Sequence, residues 1–155
     1  MVLNTALSLS VVSTALLQSG AFEAPLAAEL FLFGRILFGG ILAFNGLNHF
    51  LDLEAMTEYA ASKGVPRPRF AVVFTGGMLI IGGLGIVLGV FPTFTAGTLA
   101  VFLLVVTPIM HNFWAMPRDQ QEQEVFHFMK NTALLGGALL LLALSATAWP
   151  YALLS

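Results

Sequence analysis

The sequence predicts an all-α integral membrane protein, a four-helix bundle whose chain crosses the bilayer four times. Of the 155 residues, 58% are hydrophobic and only 9% are charged, and the mean hydropathy is +0.91. A soluble domain carries about 25% charged residues, so this chain cannot cover a water-exposed surface. Four apolar segments are also long enough to cross a hydrocarbon core of about 30 Å. We expect a single membrane domain over residues 1–155.

The predicted spans are separated by short polar or turn-forming segments. Their approximate bounds are 27–50, 70–91, 94–116 and 125–148. The second span is rich in glycine, and Gly85 and Gly89 have the GxxxG spacing that allows helices to approach closely in lipid. Only Pro92 and Thr93 follow before the third span, which predicts a tight antiparallel hairpin.

Residues 1–22 are apolar but contain several Ser and Thr residues. They lack the basic stretch that begins a secretory signal peptide, so we expect them to be retained. Leu3, Leu7, Val11 and Leu16 lie near helical spacing, which favours a helix lying in the membrane interface. A fifth span is the alternative, and it would reverse the side of one terminus.

The segment after the first span, LDLEAMTEYAASKGVPRP, is more polar. Asp52 is suited to cap a short helix that carries Leu53, Met56 and Ala60 on one side. Gly64 is suited to the left-handed position that ends such a helix. We therefore predict an amphipathic helix between spans 1 and 2.

Basic residues are concentrated on one side of the predicted bundle. The four residues that define this side are Lys63, Arg67, Arg69 and Arg118. Short cytoplasmic loops are enriched in Lys and Arg, so this side is expected to face the cytoplasm, with the protein integral to the cell membrane.

Polar residues within the spans are the best candidates for a functional site, because such groups are costly in lipid. His49, His111 and His127 come from three different spans and are predicted at one depth. Imidazole exchanges protons near neutral pH, so these three are the candidate catalytic residues. The candidate cofactor-binding residues are Arg35, Asn45, Asn112, Trp114, Lys130 and Asn131.

Simpler roles are open for the same residues. His and Trp near span ends often anchor a helix at the interface, and Lys130 has the length to reach the headgroups. Arg35 lies 14 positions before His49, about 21 Å along a helix, and therefore in the other leaflet. Arg35 is also able to pair with Glu29 or contact outer headgroups.

Composition excludes several chemistries. The chain has no cysteine, so we expect no iron–sulfur cluster and no c-type haem. His49 with Asp52, and Glu124 with His127, have metal-ligand spacing, but a di-metal bundle requires two further Glu residues within its spans, so we expect no metal. A net charge of −2 without a basic run predicts no nucleic-acid partner.

Three motifs, together with the Gly-rich second span, resemble the DoxX/DoxD family of small four-span membrane proteins. They are GRILFGGILAFNGLNHF, EYAASKGVPRP and FHFMKNTALLGGALLLLA. The resemblance covers about residues 30–145. It implies a four-helix membrane bundle linked in some members to quinone-dependent thiosulfate oxidation or to a quinol oxidase, and in others to redox homeostasis. Arg35, Lys130 and Asn131 match positions that the family often carries.

Residues and resemblance together predict a quinone-linked redox protein, or the membrane subunit of a quinone oxidoreductase. Quinone is the expected cofactor. The expected partners are membrane lipids, a redox subunit and further copies of the chain in a homo-oligomer. One alternative is a non-catalytic accessory or assembly protein that binds partner helices, and another is a small channel or transporter.

Overall fold

The computed structural model describes residues 20–154, apart from the side chains of Ala21 and Gln120. This part of the chain contains five α-helices and no β-strand. The helices are α1 Ala27–Leu51, α2 Leu53–Ser62, α3 Pro68–Leu88, α4 Pro92–Met110 and α5 Arg118–Leu144. Two 3-10 turns cover Gly20–Phe22 and Phe113–Ala115. The regions of α1, α3, α4 and α5 are long and apolar enough to cross a membrane, which confirms the predicted all-α bundle with four spans.

Most of the interfacial helix predicted for residues 1–22 falls on residues 1–19, which lie outside the described residues. Only the turn Gly20–Phe22 at its end is described. There, Phe22 packs against Phe31 of α1 with a centroid distance of 4.7 Å.

The amphipathic helix between spans 1 and 2 is confirmed as α2. Gly64 follows it with φ 76°, and its N–H bonds to the Ala61 carbonyl oxygen at 2.9 Å. The cap expected from Asp52 is not formed, since Asp52 occupies the N-cap position but its side chain makes no capping hydrogen bond. Asp52 is also the C-cap residue of α1, so this one residue is all that separates the two helices.

Two helix bounds differ from the predicted span bounds for local reasons. Helix α3, the second span, ends at Leu88, because Gly89 adopts the left-handed conformation and the Val90 N–H bonds to the Gly85 carbonyl oxygen at 2.9 Å. Helix α5, the fourth span, begins at Arg118, well before the apolar segment, because the Glu and Gln residues that follow Pro117 are good helix formers.

Close backbone contact joins α1 to α3. A Cβ atom added at Gly46 would lie 2.8 Å from the Gly76 carbonyl oxygen, and one added at Gly83 would lie 2.5 Å from the Gly39 carbonyl oxygen. The GxxxG pair has other roles, since Gly85 packs against Thr95 of α4 and Gly89 ends α3.

The remaining spans complete the bundle around an aliphatic core. Helix α3 packs against α4, α4 packs against α5, and α2 packs against α3. On the other side, Phe38 of α1 reaches Gly137 of α5. The core side chains that are almost fully buried are Leu42, Leu79, Ile86, Leu99 and Leu103.

The two ends of the bundle differ in charge. We call the end that carries Lys63, Arg67, Arg69 and Arg118 the basic end. At the opposite end, the residues after α5 fold back onto the turn between α3 and α4. There the Leu153 N–H bonds to the Leu88 carbonyl oxygen at 2.9 Å, and the Phe91 N–H bonds to that of Leu154 at 3.2 Å.

Candidate ligand-binding cavity

A cavity of about 330 Å³ lies in the half of the bundle next to the basic end. All five helices or their ends contribute to its wall, and α2 covers one side with Met56 and Ala60. The wall is mostly aliphatic. Its polar members are His49, Tyr59, Thr75, His111 and Asn131. An apolar cavity with a few convergent polar groups is typical of a small-molecule site.

His49 faces this cavity from the last turn of α1. Its Nδ1 lies 2.8 Å from the Asn45 carbonyl oxygen. A carbonyl oxygen only accepts hydrogen bonds, so Nδ1 carries the hydrogen and the neutral ring has its lone pair on Nε2. His49 is therefore held as a ring whose remaining nitrogen accepts a proton or a hydrogen bond.

His111 ends α4 and belongs to a network of charged groups. Its Nδ1 lies 2.9 Å from Glu124 Oε2, and Lys63 Nζ lies 2.6 Å from Glu124 Oε1. The three side chains are only 9% to 16% exposed. One carboxylate thus connects the cavity residue His111 to a lysine at the basic end.

His127 lies behind His111 and is not part of the cavity wall. The two imidazole rings are stacked, with centroids 5.2 Å apart and an interplanar angle of 22°. Lys130 Nζ lies 3.4 Å from His127 Nδ1. Ammonium only donates, so this nitrogen of His127 accepts, and the hydrogen of the neutral ring is on Nε2.

The short connection between α4 and α5 brings these groups together. His111 adopts a non-helical conformation, and Pro117 precedes the first residue of α5. Phe113 packs edge-on against Trp114 and against Phe128 of α5, with centroid distances of 5.1 and 5.4 Å. This aromatic contact fixes the connection on α5 and sets His111 opposite Glu124.

The other polar residues of the cavity have different hydrogen-bonding capacities. The Thr75 hydroxyl donates to the Ala71 carbonyl oxygen at 2.8 Å, so it offers only acceptor capacity to a ligand. Asn131 makes no side-chain hydrogen bond with a described residue. Burial raises the pKa of Tyr59, with a further contribution from Glu124 and an opposing one from Lys63. Tyr59 therefore remains a neutral phenol near neutral pH.

Arg35 lies at the other end of the bundle and not at the cavity. Its guanidinium is fully buried and donates to the carbonyl oxygens of Ile86, Val87 and Pro150 at 2.9, 2.9 and 2.7 Å. Two of these carbonyls belong to the last turn of α3, where carbonyls lack the usual helical N–H partner, although the Ile86 oxygen also accepts from the Gly89 N–H at 3.3 Å. Arg35 thus joins α1, α3 and the C-terminal segment, and neither Glu29 nor a headgroup is its partner.

Three further candidates lie outside the cavity wall. The Asn45 side chain is exposed, although its carbonyl holds His49. Asn112 has a buried Oδ1 with no partner among the described residues. Trp114 is 58% exposed and belongs to the aromatic contact on α5.

Glu124 and Lys63 were not among the predicted site residues. The spacing of Glu124 and His127 had suggested only a metal-ligand pair, and Lys63 had appeared as one of four surface charges. Their pairing depends on the fold, because Lys63 follows α2 whereas Glu124 lies near the start of α5, far away in sequence. In residues 20–154, no group of three His, Asp or Glu side chains is arranged to hold a metal ion.

Comparison with known protein families assigns the chain to one of them. The sequence profile of the DoxX family matches residues 30–112, more than half of the chain. The chain belongs to the DoxX family. In this DoxX protein the matched region includes His49 and His111, whereas Glu124, His127 and Lys130 follow it. Neither the curated proteins nor the solved structures include a significant match to the chain.

Proposed function

We propose that this DoxX protein binds a quinone headgroup in the cavity and acts as a quinone-linked redox protein or as the membrane subunit of a quinone oxidoreductase. The observation that carries this proposal is an apolar cavity of about 330 Å³ that holds two histidines and an asparagine. Its volume lies at the lower end of the range for small-molecule sites, which suits a single ring.

The polar groups fit the oxygens of such a ring. The Asn131 amide has N–H groups free to donate to a carbonyl oxygen, and His49 Nε2 accepts a hydrogen bond from a hydroxyl. Apolar side chains such as Val72, Phe102 and Val106 line the wall around these groups. A bound quinone would supply two-electron, two-proton redox chemistry.

The protein residues would bind the ring and carry its protons. His49 and His111 each have Nδ1 committed to an acceptor, so Nε2 is the nitrogen that takes up a proton from the cavity. Electrons would pass to or from a partner redox subunit. With the basic end facing the cytoplasm, the protein would lie in the cell membrane and exchange protons on that side.

A channel is less well supported. Between the cavity and Arg35, the interior is filled by Leu42, Leu79 and Leu103, each no more than 2% exposed. A continuous polar path through the bundle would have to cross this layer.

Quinone extraction from protein purified in detergent tests the proposal. The wild type should carry quinone, detected by mass spectrometry. Ala71→Phe places a ring in the cavity and should remove it, whereas Val73→Phe adds the same ring to an exposed position of α3 and should not. Asn131→Leu should lower the content, with Asn48→Leu as its control outside the cavity wall. Equal contents in Ala71→Phe and Val73→Phe would exclude this cavity.

A further inference from the structure

We propose that Glu124 is a proton-relay residue that takes the proton of His111 Nδ1 and releases it to water at the basic end. The geometry of the relay is independent of the ligand, whereas its use for quinone protons rests on the proposed function.

The hydrogen bond between His111 and Glu124 provides the transfer step. Nδ1 and Oε2 are 2.9 Å apart, which is a normal distance for proton transfer between heavy atoms. When Nε2 of His111 gains a proton from the cavity, the ring becomes an imidazolium. The Nδ1–H bond then breaks, an Oε2–H bond forms, and a neutral ring and a neutral carboxylic acid result.

Lys63 favours the release that follows. Its ammonium lies 2.6 Å from the other carboxylate oxygen, Oε1, and stabilises the charged form of Glu124. The carboxyl group therefore holds the proton only briefly. Glu124 is six positions after Arg118, the first residue of α5, or about 9 Å of helix rise. The proton has a short distance to travel to the basic end.

His127 does not provide an equivalent route. The ring nitrogens of stacked imidazoles point along their planes and not at each other, so a proton does not pass directly from His111 to His127. Lys130 also faces His127 Nδ1 with a donor. The ring of His127 is neutral, whereas the Lys130 ammonium beside it adds positive charge on this side of the stacked pair, which favours loss of the His111 proton to Glu124.

Solvent exchange of the His111 ring proton measures the relay directly. In protein with ¹⁵N-labelled histidine, nuclear magnetic resonance reports the exchange rate of Nδ1–H, with assignment by single histidine variants. Glu124→Gln keeps a hydrogen-bond acceptor but cannot take up a proton, so exchange should slow at least tenfold. Glu124→Asp retains a carboxylate and should restore most of the rate. An unchanged rate in Glu124→Gln would overturn the proposal, because a purely structural role predicts that result.

Glu124→Gln leaves Lys63 without its partner and risks misfolding. The double variant Lys63→Met with Glu124→Gln removes both charges together, which proteins generally tolerate better. Its exchange rate, compared with Lys63→Met alone, should show the same slowing, and equal rates would again overturn the relay.

A binding titration with a short-chain quinone separates the two proposals. The dissociation constants of Lys63→Met and of the double variant Lys63→Met with Glu124→Gln should agree, because both lack the ion pair and Glu124 is not part of the cavity wall. Absence of binding to the wild type would contradict the proposed function, while the exchange experiment would still decide the relay. Loss of binding in the double variant, with binding retained in Lys63→Met, would contradict a role exerted only through His111.

Discussion

Lys63 and Glu124 form an ion pair that joins the end of α2 to α5. The 2.6 Å distance between Nζ and Oε1 connects residues 61 positions apart, and both side chains are largely buried. Since α2 contributes Met56, Tyr59 and Ala60 to the cavity wall, this pair helps to keep the cavity covered.

Loss of the ion pair should loosen α2. In Lys63→Met, amide hydrogen exchange of residues 53–62 should become about tenfold faster, which corresponds to about 1.4 kcal/mol, more than an exposed pair contributes because both side chains are largely buried. Arg69→Met removes an exposed charge of the same end and should leave the exchange unchanged. Equal rates in both variants would show that the pair does not hold α2.

Arg35 should be essential for stability. Ile86 retains the bond from the Gly89 N–H, but the Val87 and Pro150 carbonyls each lose a donor at a cost of about 1–3 kcal/mol, so Arg35→Met should lower the free energy of unfolding by about 3 kcal/mol or more. In a protein of this size, that corresponds to a fall in Tm of about 10 °C in detergent. Arg35→Lys should recover only part of the loss, because an ammonium group lacks the fork that reaches three carbonyls.

The quinone content of Arg35→Lys shows whether Arg35 acts on stability alone. At a temperature where Arg35→Lys is folded, its quinone content should match that of the wild type. A specific loss of quinone would instead place Arg35 in the ligand site.

A methyl group added at Gly39 should destabilise the packing of α1 against α3. A Cβ atom there would clash with the Gly83 carbonyl oxygen, whereas one at Gly40 would meet nothing within 4 Å. Gly39→Ala should therefore cost about 1–3 kcal/mol, and Gly40→Ala should be neutral or slightly stabilising in its helix. Thermal unfolding of the two variants, side by side, checks this; similar Tm values would contradict the observed packing.

Tyr59 should titrate at higher pH than an ordinary tyrosine. Burial and then the Glu124 carboxylate raise its pKa above 10.0, and Lys63 acts in the opposite direction. Glu124→Gln should therefore lower the pKa of Tyr59, and Lys63→Met should raise it. Tyrosinate absorbance measures both shifts, and Tyr59→Phe separates the signal from that of Tyr151. Shifts of the same sign would show that these charges do not act on Tyr59.

Sequence patterns predicted the architecture well, because length and hydropathy determine whether a helix can cross a membrane. They also predicted the left-handed conformation of Gly64 after α2, since glycine is the residue type that adopts this conformation most readily. Helix ends were less accurate, as at Arg118, because hydropathy marks the apolar part of a helix and not its hydrogen-bonded length.

The candidate site was predicted only in part. His49, His111 and Asn131 line one cavity, which periodicity and depth had indicated. Arg35 was grouped with them because charges within spans are usually functional, but its three carbonyl partners come from segments that only the folded chain brings together. Glu124 was not recognised as a partner of His111, because the conformation of the connection between α4 and α5 has no clear sequence pattern.

Photolabelling with an azido-quinone shows where on the protein a quinone binds. After illumination of the wild type in detergent or lipid discs, mass spectrometry should find the label on peptides that contain cavity residues such as Thr75, Val106 and His111. Ala71→Phe should abolish this labelling, and Val73→Phe should retain it. Labelling spread over the lipid-facing helix surfaces, or unaffected by Ala71→Phe, would contradict quinone binding in the cavity.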